Sequence, residues 1–310
     1  KVLDAAGCGF DLASKNEVSL VSGAKVSPAK CIYTNPVKKV SDIEYSLDCG
    51  CNVFVIDNVY ELEKFKKFKE ITELILRINI DNDRAVVPLS NKYGCSVSDV
   101  PAIFEQASSM GIYIYGLSFH VGSQSLTPDA HINAIKTCRD IISSDIGNTI
   151  RVLDIGGGFP VQYSDNVMNI VDFCRPMADE LSKIPDHVQV IAEPGRFITA
   201  PVGTCISSVV GKATRDGKRW YYIDDGVYGT YSGVIFDGAK YSIKTLKDDQ
   251  PLFSSVLAGP TCDGLDVIDY DVLLPELDEG DLVIGEQMGA YTIETATTFC
   301  SLHLAKRIVI

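Results

Sequence analysis

Val152-Leu153-Asp154-Ile155-Gly156-Gly157-Gly158-Phe159-Pro160 is followed further along the chain by Val190-Ile191-Ala192-Glu193-Pro194-Gly195-Arg196. Each is an apolar run that ends abruptly in glycine and charge. A strand that delivers bare backbone N–H groups at its C-terminal end suits an anion, because glycine lets the main chain approach closely. The second stretch delivers a carboxylate beside an arginine. Together they point to a phosphorylated cofactor gripped at one end by backbone and tuned at the other by Glu193. Each piece also has a plain reading: the glycines as a tight strand-to-helix turn, Glu193 as the partner of Arg196.

Working outward from these strands, short apolar runs alternate with amphipathic stretches, the pattern of parallel strands with helical crossovers. Strands are expected at Gly9–Ala13, Cys31–Asn35, Val53–Asp57, Leu74–Ile80, Gly116–Val121, Arg151–Ile155 and Gln189–Glu193. Helices are clearest at Val59–Ile71, where Leu62, Phe65 and Phe68 recur among lysines and glutamates, and at Pro101–Met110, closed by Gly111. Polar residues gather where the strands end: Asp11, Ser14, Asn35, Asp57, Arg77, His120, Ser123, Asp154, Glu193 and Arg196. In a (β/α)8 barrel that rim carries the chemistry. An open doubly wound sheet is the competing architecture. Lys1–Gly7 reads as the last turns of a helix stopped by glycine, so the expected barrel is of TIM type with its first strand upstream of Lys1.

After about Ala200 the texture changes. Val202–Val210, Arg219–Ile223, Val234–Phe236, Phe253–Leu257, Asp281–Gly285 and Leu304–Ile310 are separated by turn clusters such as Asp216-Gly217, Asp248-Asp249 and Glu279-Gly280. A second, mainly β domain is expected, with residues 1–202 forming the barrel and 203–310 the β domain. No internal repeat is visible.

The composition narrows the function classes. Hydrophobic residues make up 46% of 310, enough for a sizeable core. Lys+Arg 28 against Asp+Glu 41 gives a net charge of −13 with no basic tract, which leaves nucleic-acid binding without electrostatic support. No apolar run is long enough for a membrane span and no signal pattern opens the chain, so a cytoplasmic protein is expected, without a membrane partner. The ten cysteines are scattered like small hydrophobes, and the four histidines are too dispersed for a zinc site.

Three further places carry candidate chemistry. His120 is either a core histidine or a flat ring that stacks on a planar cofactor. Cys262 and Asp263, in Gly259-Pro260-Thr261-Cys262-Asp263-Gly264-Leu265-Asp266, sit in a turn from which a thiol and a carboxylate could reach another molecule. Tyr291, in Gly289-Ala290-Tyr291-Thr292, offers a phenol to a phosphate or is simply packed near a turn.

With Gly9-Phe10-Asp11-Leu12-Ala13-Ser14, Ser118-Phe119-His120-Val121-Gly122-Ser123 and Asp224-Asp225-Gly226-Val227-Tyr228-Gly229 added, the order and spacing of these motifs resemble, from end to end, the ornithine decarboxylase branch of the pyridoxal-phosphate basic amino-acid decarboxylases. The resemblance implies an alanine-racemase-like barrel plus a β domain, pyridoxal 5'-phosphate as cofactor, and a homodimer whose active sites are shared across the interface. It further implies that Ser123, Gly156, Gly157, Gly158, Gly195, Arg196 and Tyr291 surround the cofactor phosphate. Glu193 would pair with the pyridine nitrogen, His120 would stack on the ring, and Asp11 would lie near the lysine that holds the cofactor. That lysine belongs to the first barrel strand, upstream of Asp11 by more residues than this chain possesses.

Cys262 and Asp263 would enter the neighbouring subunit's site, with Cys262 as the proton donor. Substrate contacts are implied for Asp237, Asp263, Tyr228 and Phe299. A short aspartate at 237 suits ornithine or lysine better than arginine, so decarboxylation of L-ornithine to putrescine is the expected reaction. Lysine/ornithine or arginine decarboxylation and a non-catalytic, antizyme-inhibitor-like regulator are the alternatives. The Cys262-Asp263 pair separates the chain from diaminopimelate decarboxylases, which commonly place glutamate after this cysteine, and from racemases. Pro88 stands where eukaryotic ornithine decarboxylases usually have arginine, which leaves open a broader lysine/ornithine specificity.

Overall fold

The computed structural model describes residues 1–80, the backbone of 85–87, and residues 92–163, 167–247 and 249–310. Pro88 lies outside the described residues, as does Asp248. The described chain packs into two units, Lys1–Gly158 with Met168–Glu193, and Phe159–Val167 with Pro194–Ile310. The chain therefore changes units at Glu193/Pro194, where the sequence pattern places the change at 202. Ala200 accounts for the difference: it is fully buried in a cluster with Val161 and Ala290 of the second unit.

In the first unit, strands β1 (Phe10–Leu12), β2 (Cys31–Tyr33), β3 (Val53–Ile56) and β4 (Glu73–Ile78) lie side by side. After β5 (Ala85–Val87), the sheet continues with β6 (Ile114–Phe119); then, past β7 (Ser123–Ser125), come β8 (Val152–Asp154) and β9 (Gln189–Ile191). The seven sheet strands are all parallel and stand in strict sequence order, β1-β2-β3-β4-β6-β8-β9. That order is the order of a (β/α)8 barrel and not of a doubly wound sheet, whose strand order reverses at a switch point. The sheet curls: Asp11 on β1 and Glu193 after β9 are close enough for their charges to interact, although these strands are the two edges.

All seven expected strands are present. β5 and β7, which form a separate antiparallel ladder, were not foreseen because Ser123-Gln124-Ser125 has no apolar residue to mark it. Helix Asp129–Ile142 shows why the crossovers pack: His131, Ala134, Ile135, Cys138, Ile141 and Ile142 fall on one face and are buried. The segment expected to be helical over Val59–Ile71 is α-helical at Val59–Lys64, capped by the Asn58 side chain on Glu61 N–H, and then tightens to a 3-10 turn at Phe65–Phe68.

The second unit contains β10 (Cys205–Arg215), β11 (Lys218–Ile223), β12 (Ile243–Thr245), β13 (Phe253–Ala258), β14 (Val267–Leu274) and β15 (Leu282–Gly285), in the order β12-β15-β10-β11-β13-β14. Its core is built from Tyr221, Ile223, Tyr231, Leu257, Leu277 and Val283 among others. Two expected strands are corrected. Val234–Phe236 lies in a short helix, Gly233–Phe236, closed by Asp237 N–H donating to the Gly233 carbonyl at 2.9 Å; a brief apolar run cannot distinguish a strand from a buried turn of helix. Leu304–Ile310 is exposed and has no ladder partner among the described residues. Conversely, β14 was missed because charges interrupt it: Asp269, Tyr270 and Asp271 lie on its more open stretch.

Candidate active site

The strand ends of the first unit bring together one dense cluster. Asp154 closes β8 and is 1% exposed; its Oδ1 accepts the Gly156 N–H at 2.8 Å, which turns the chain sharply into the glycines. Gly156 in turn accepts the Glu193 N–H on its carbonyl at 2.9 Å, lacing the glycine loop to the end of β9. Gly156 has φ +64, and a Cβ there would overlap the Phe119 carbonyl oxygen. At Gly157 a Cβ would stand 2.7 Å from the Glu193 carbonyl oxygen and 3.0 Å from His120 Nε2. Only glycine permits so close an approach of three strand ends. His131 steadies the loop from behind, its Nε2 3.0 Å from the Gly157 carbonyl oxygen.

The electrostatics of the cluster are those of charge held away from water. Glu193 and His120 are half-buried. Poor solvation, then the nearby Asp154 and Asp11 carboxyls, push the Glu193 carboxyl well above the usual carboxylate range, while Arg77 opposes the shift. Burial likewise raises Asp154 to about 7, and the Asp11 carboxyl is raised by desolvation against a bond from the Thr34 hydroxyl. His120 moves the other way, to about 3, through desolvation and the Arg77 cation. Its Nδ1 accepts the Gly122 N–H at 3.0 Å, so near neutral pH the ring is uncharged. Arg77, which the sequence marked only as one of many polar strand ends, is therefore the local cation shared by Asp11, Asp57 and Glu193.

In the second unit the sequence-selected residues fall into two groups. Gly195 opens helix Gly195–Thr199 and lies 3.9 Å, measured from a would-be Cβ, from the Tyr291 hydroxyl. The Arg196 guanidinium lies over the Tyr291 ring at 4.6 Å from its centroid, donates to the Tyr163 hydroxyl at 2.9 Å and donates to Asp237 Oδ2 at 2.7 Å. Tyr163 was not singled out from the sequence; it lies three residues past the glycine motif that ends at Pro160, with no glycine or charge beside it to mark it. Tyr291 itself is held at φ +54, a left-handed conformation that a non-glycine residue rarely adopts.

The other group surrounds the turn after β13. Asp266 is 2% exposed and accepts the N–H groups of Val227 and Thr261, both at 2.9 Å, so the turn is stapled from beneath. Cys262 and Asp263 stand on it. The Asp263 carboxylate accepts the Leu265 N–H and the Tyr228 hydroxyl, which together lower its proton affinity. The Tyr228 ring packs on Phe299 with 4.6 Å between centroids, and the Cys262 thiol is 3.7 Å from that of Cys300. Cys300 belongs to none of the motifs quoted above, and only its approach to Cys262 in space brings it here.

A family model for the pyridoxal-binding domain of pyridoxal-dependent decarboxylases matches residues 1–200. This chain belongs to the pyridoxal-dependent decarboxylases. Ornithine decarboxylase of Mus pahari is 36% identical over 318 aligned residues, spanning 96% of this chain and 69% of that protein. Antizyme inhibitor 2 of Xenopus laevis is equally similar, at 36% over 96% of this chain and 70% of its own length. Among solved structures, the lysine/ornithine decarboxylase of Vibrio vulnificus complexed with cadaverine superposes with a TM-score of 0.93 at 47% identity, covering 99% of this chain and 82% of that one. The family's fold, a (β/α)8-type barrel with a β domain, agrees with the sequential parallel sheet and the separate mixed one, in which only β11 and β13 pair in parallel.

The residues of the first unit fit the family's cofactor on chemical grounds. Pyridoxal phosphate needs a flat neighbour, an acid for its ring nitrogen and unobstructed backbone N–H groups for its phosphate. His120 is planar and uncharged, Glu193 has raised proton affinity, and Gly157 and Gly158 carry no side chain over their N–H groups. Among the described residues no cluster of histidine, cysteine and acidic groups could hold a metal ion.

Proposed function

We propose that this chain decarboxylates a basic L-amino acid, with L-ornithine giving putrescine as its principal reaction and L-lysine as the second substrate. The observation that carries the proposal is Glu193, whose backbone at the end of β9 is laced to the glycine loop beside the neutral His120 ring and whose carboxyl has raised proton affinity. When bound, pyridoxal phosphate would supply the electron sink that this decarboxylation needs. Glu193 would hold the proton of the pyridine nitrogen, because a paired carboxylate and pyridinium are cheaper in a poorly solvated recess than a lone carboxylate. His120, having no charge near neutral pH, would cover one face of the ring and keep water from it without repelling the pyridinium.

Gly156, Gly157, Gly158 and Ser123 would surround the phosphate, with N–H groups of Gly157 and Gly158 as the backbone donors, since that of Gly156 is already given to Asp154; Gly195, Arg196 and Tyr291 carry the same role in the family resemblance. Asp11 stands near the cofactor's lysine. From a second copy of the chain, in a homodimer with shared sites, Cys262 holds at Sγ the proton delivered to the carbon that lost carbon dioxide. Asp263, fixed by Tyr228 and beside Phe299, binds the substrate's distal ammonium together with Asp237.

Short acidic side chains leave room for a flexible alkylammonium rather than a guanidinium, and the 47% identity to a lysine/ornithine decarboxylase supports the pairing of substrates. Steady-state kinetics of the full-length protein on ornithine, lysine and arginine test it. kcat/KM is expected highest for ornithine, with lysine next. A preference for arginine, or no turnover of any of the three, overturns it.

A further inference from the structure

We propose that Cys262 and Cys300 form one oxidation site, a thiol pair that a peroxide converts reversibly to a disulfide, withdrawing the Cys262 thiol from proton transfer. Of the ten cysteines these are the two that are exposed, and they face each other at 3.7 Å across 38 residues of sequence. A disulfide bond is about 2.0 Å long, so the sulfurs need to close by less than 2 Å, a movement that side-chain rotation on two turns supplies.

The approach is imposed by the neighbours of both residues. Tyr228 links the two flanks: its hydroxyl donates to Asp263, next to Cys262, and its ring packs on Phe299, next to Cys300. The Tyr228 carbonyl also accepts the Thr297 N–H at 2.8 Å, tying down the start of the second segment. Asp266 fixes the Cys262 turn independently. Cys300 and Ser301 both adopt left-handed backbone, with φ 56 and 57, which turns the short 3-10 segment Phe299–Ser301 towards the first thiol. Two thiols so held have a high effective concentration for each other.

The chemistry balances with hydrogen peroxide as the oxidant. The Cys262 thiolate attacks one peroxide oxygen, the O–O bond breaks, and a sulfenic acid and water result. The Cys300 sulfur then displaces the sulfenic hydroxyl, which leaves as a second water with the Cys300 proton. Two thiols and one peroxide thus give one disulfide and two waters. A small dithiol reverses the step by exchange. At rest the hydrogen bond between the two thiols, the first of its causes, raises the Cys262 proton affinity, and an ordinary thiol already stays protonated near neutral pH without it. Both thiols are exposed, and in the proposed dimer Cys262 reaches the site that admits the substrate; peroxide is smaller than any amino acid.

The effect on activity rests on the role proposed for Cys262; formation of the bond does not. The full-length holoenzyme is treated with hydrogen peroxide, and its non-reduced peptides are mapped by mass spectrometry alongside the decarboxylation rate. A Cys262–Cys300 peptide, lower in mass by two hydrogens, is expected together with a fall in rate of about a hundredfold, both reversed by dithiothreitol. Cys300→Ser is expected to retain the untreated rate but to lose it irreversibly in peroxide, because Cys262 then oxidises beyond the sulfenic acid. Unlinked cysteines after inactivation, or full recovery of Cys300→Ser on reduction, overturn the site. A linked pair with unchanged rate leaves the site standing and overturns the role given to Cys262.

Discussion

Arg196 donates to Asp237 at 2.7 Å, and the two side chains are 6% and 17% exposed. The family resemblance assigns them to different ligands, the cofactor phosphate and the substrate's distal ammonium, yet in the second unit they neutralise each other. Breaking one side of a poorly solvated pair leaves a charge without compensation. Asp237→Ala is therefore expected to destabilise the protein by about 3 kcal/mol, with Asp237→Asn closer to wild type because its oxygen still accepts from the guanidinium. Chemical denaturation of the three proteins checks the order; equal stabilities would show that the pair contributes nothing.

Gly157→Ala tests the close approach of the strand ends. The added methyl would meet the Glu193 carbonyl oxygen at 2.7 Å and His120 Nε2 at 3.0 Å. Backbone cannot yield as a side-chain tip can, so a loss of about 1–3 kcal/mol and weaker pyridoxal phosphate binding are expected. Fluorescence titration with the cofactor, beside thermal melting, measures both.

Glu193→Gln keeps the shape of the side chain and removes its capacity to ionise. If the carboxylate stabilises a protonated ring nitrogen, kcat falls by about a hundredfold or more, while the protein still binds the cofactor's phosphate. A variant with wild-type kcat would refute this role.

Asp154 makes stability depend on pH in a direction opposite to most carboxylates. The folded group keeps its proton to about 7, whereas the unfolded one releases it near 3.8, so between these values the folded state holds the extra proton. The stability linked to that proton is fully present below the lower value and is lost as pH rises through the higher one, by at most about 1.4 kcal/mol per pH unit. His120 has the reverse linkage, since its folded value is depressed to about 3. Subtracting the stability of cofactor-stripped Asp154→Asn from that of cofactor-stripped wild type isolates the carboxyl's contribution. The difference should decline from pH 4 to pH 7; a difference that grows with pH would contradict the burial of the charge.

The placement of the rim was legible because parallel strands buried on both faces must be apolar along their length, and the chain must turn polar where each one ends. Asp11, Arg77, His120, Asp154 and Glu193 could thus be read as strand ends from a single sequence. Their individual weights could not. Arg77 looks like any other charge at a strand terminus, and only its nearness to three carboxylates makes it the local cation. The β domain was read less well, since β14 carries Asp269 and Asp271 on a half-exposed surface, and Val234–Phe236 is too short for its periodicity to mean anything.

The sequence alone determined the succession of strands and crossovers, the glycines at 156–158 and the kind of cofactor they suit, because these depend on local backbone freedom and on the spacing of apolar residues. The tertiary structure decided which side chains share a charge, a proton or a surface. The pairing of Arg196 with Asp237 and the meeting of Cys262 with Cys300 join residues that are remote along the chain, and Coulomb and contact forces act through space, not along the sequence.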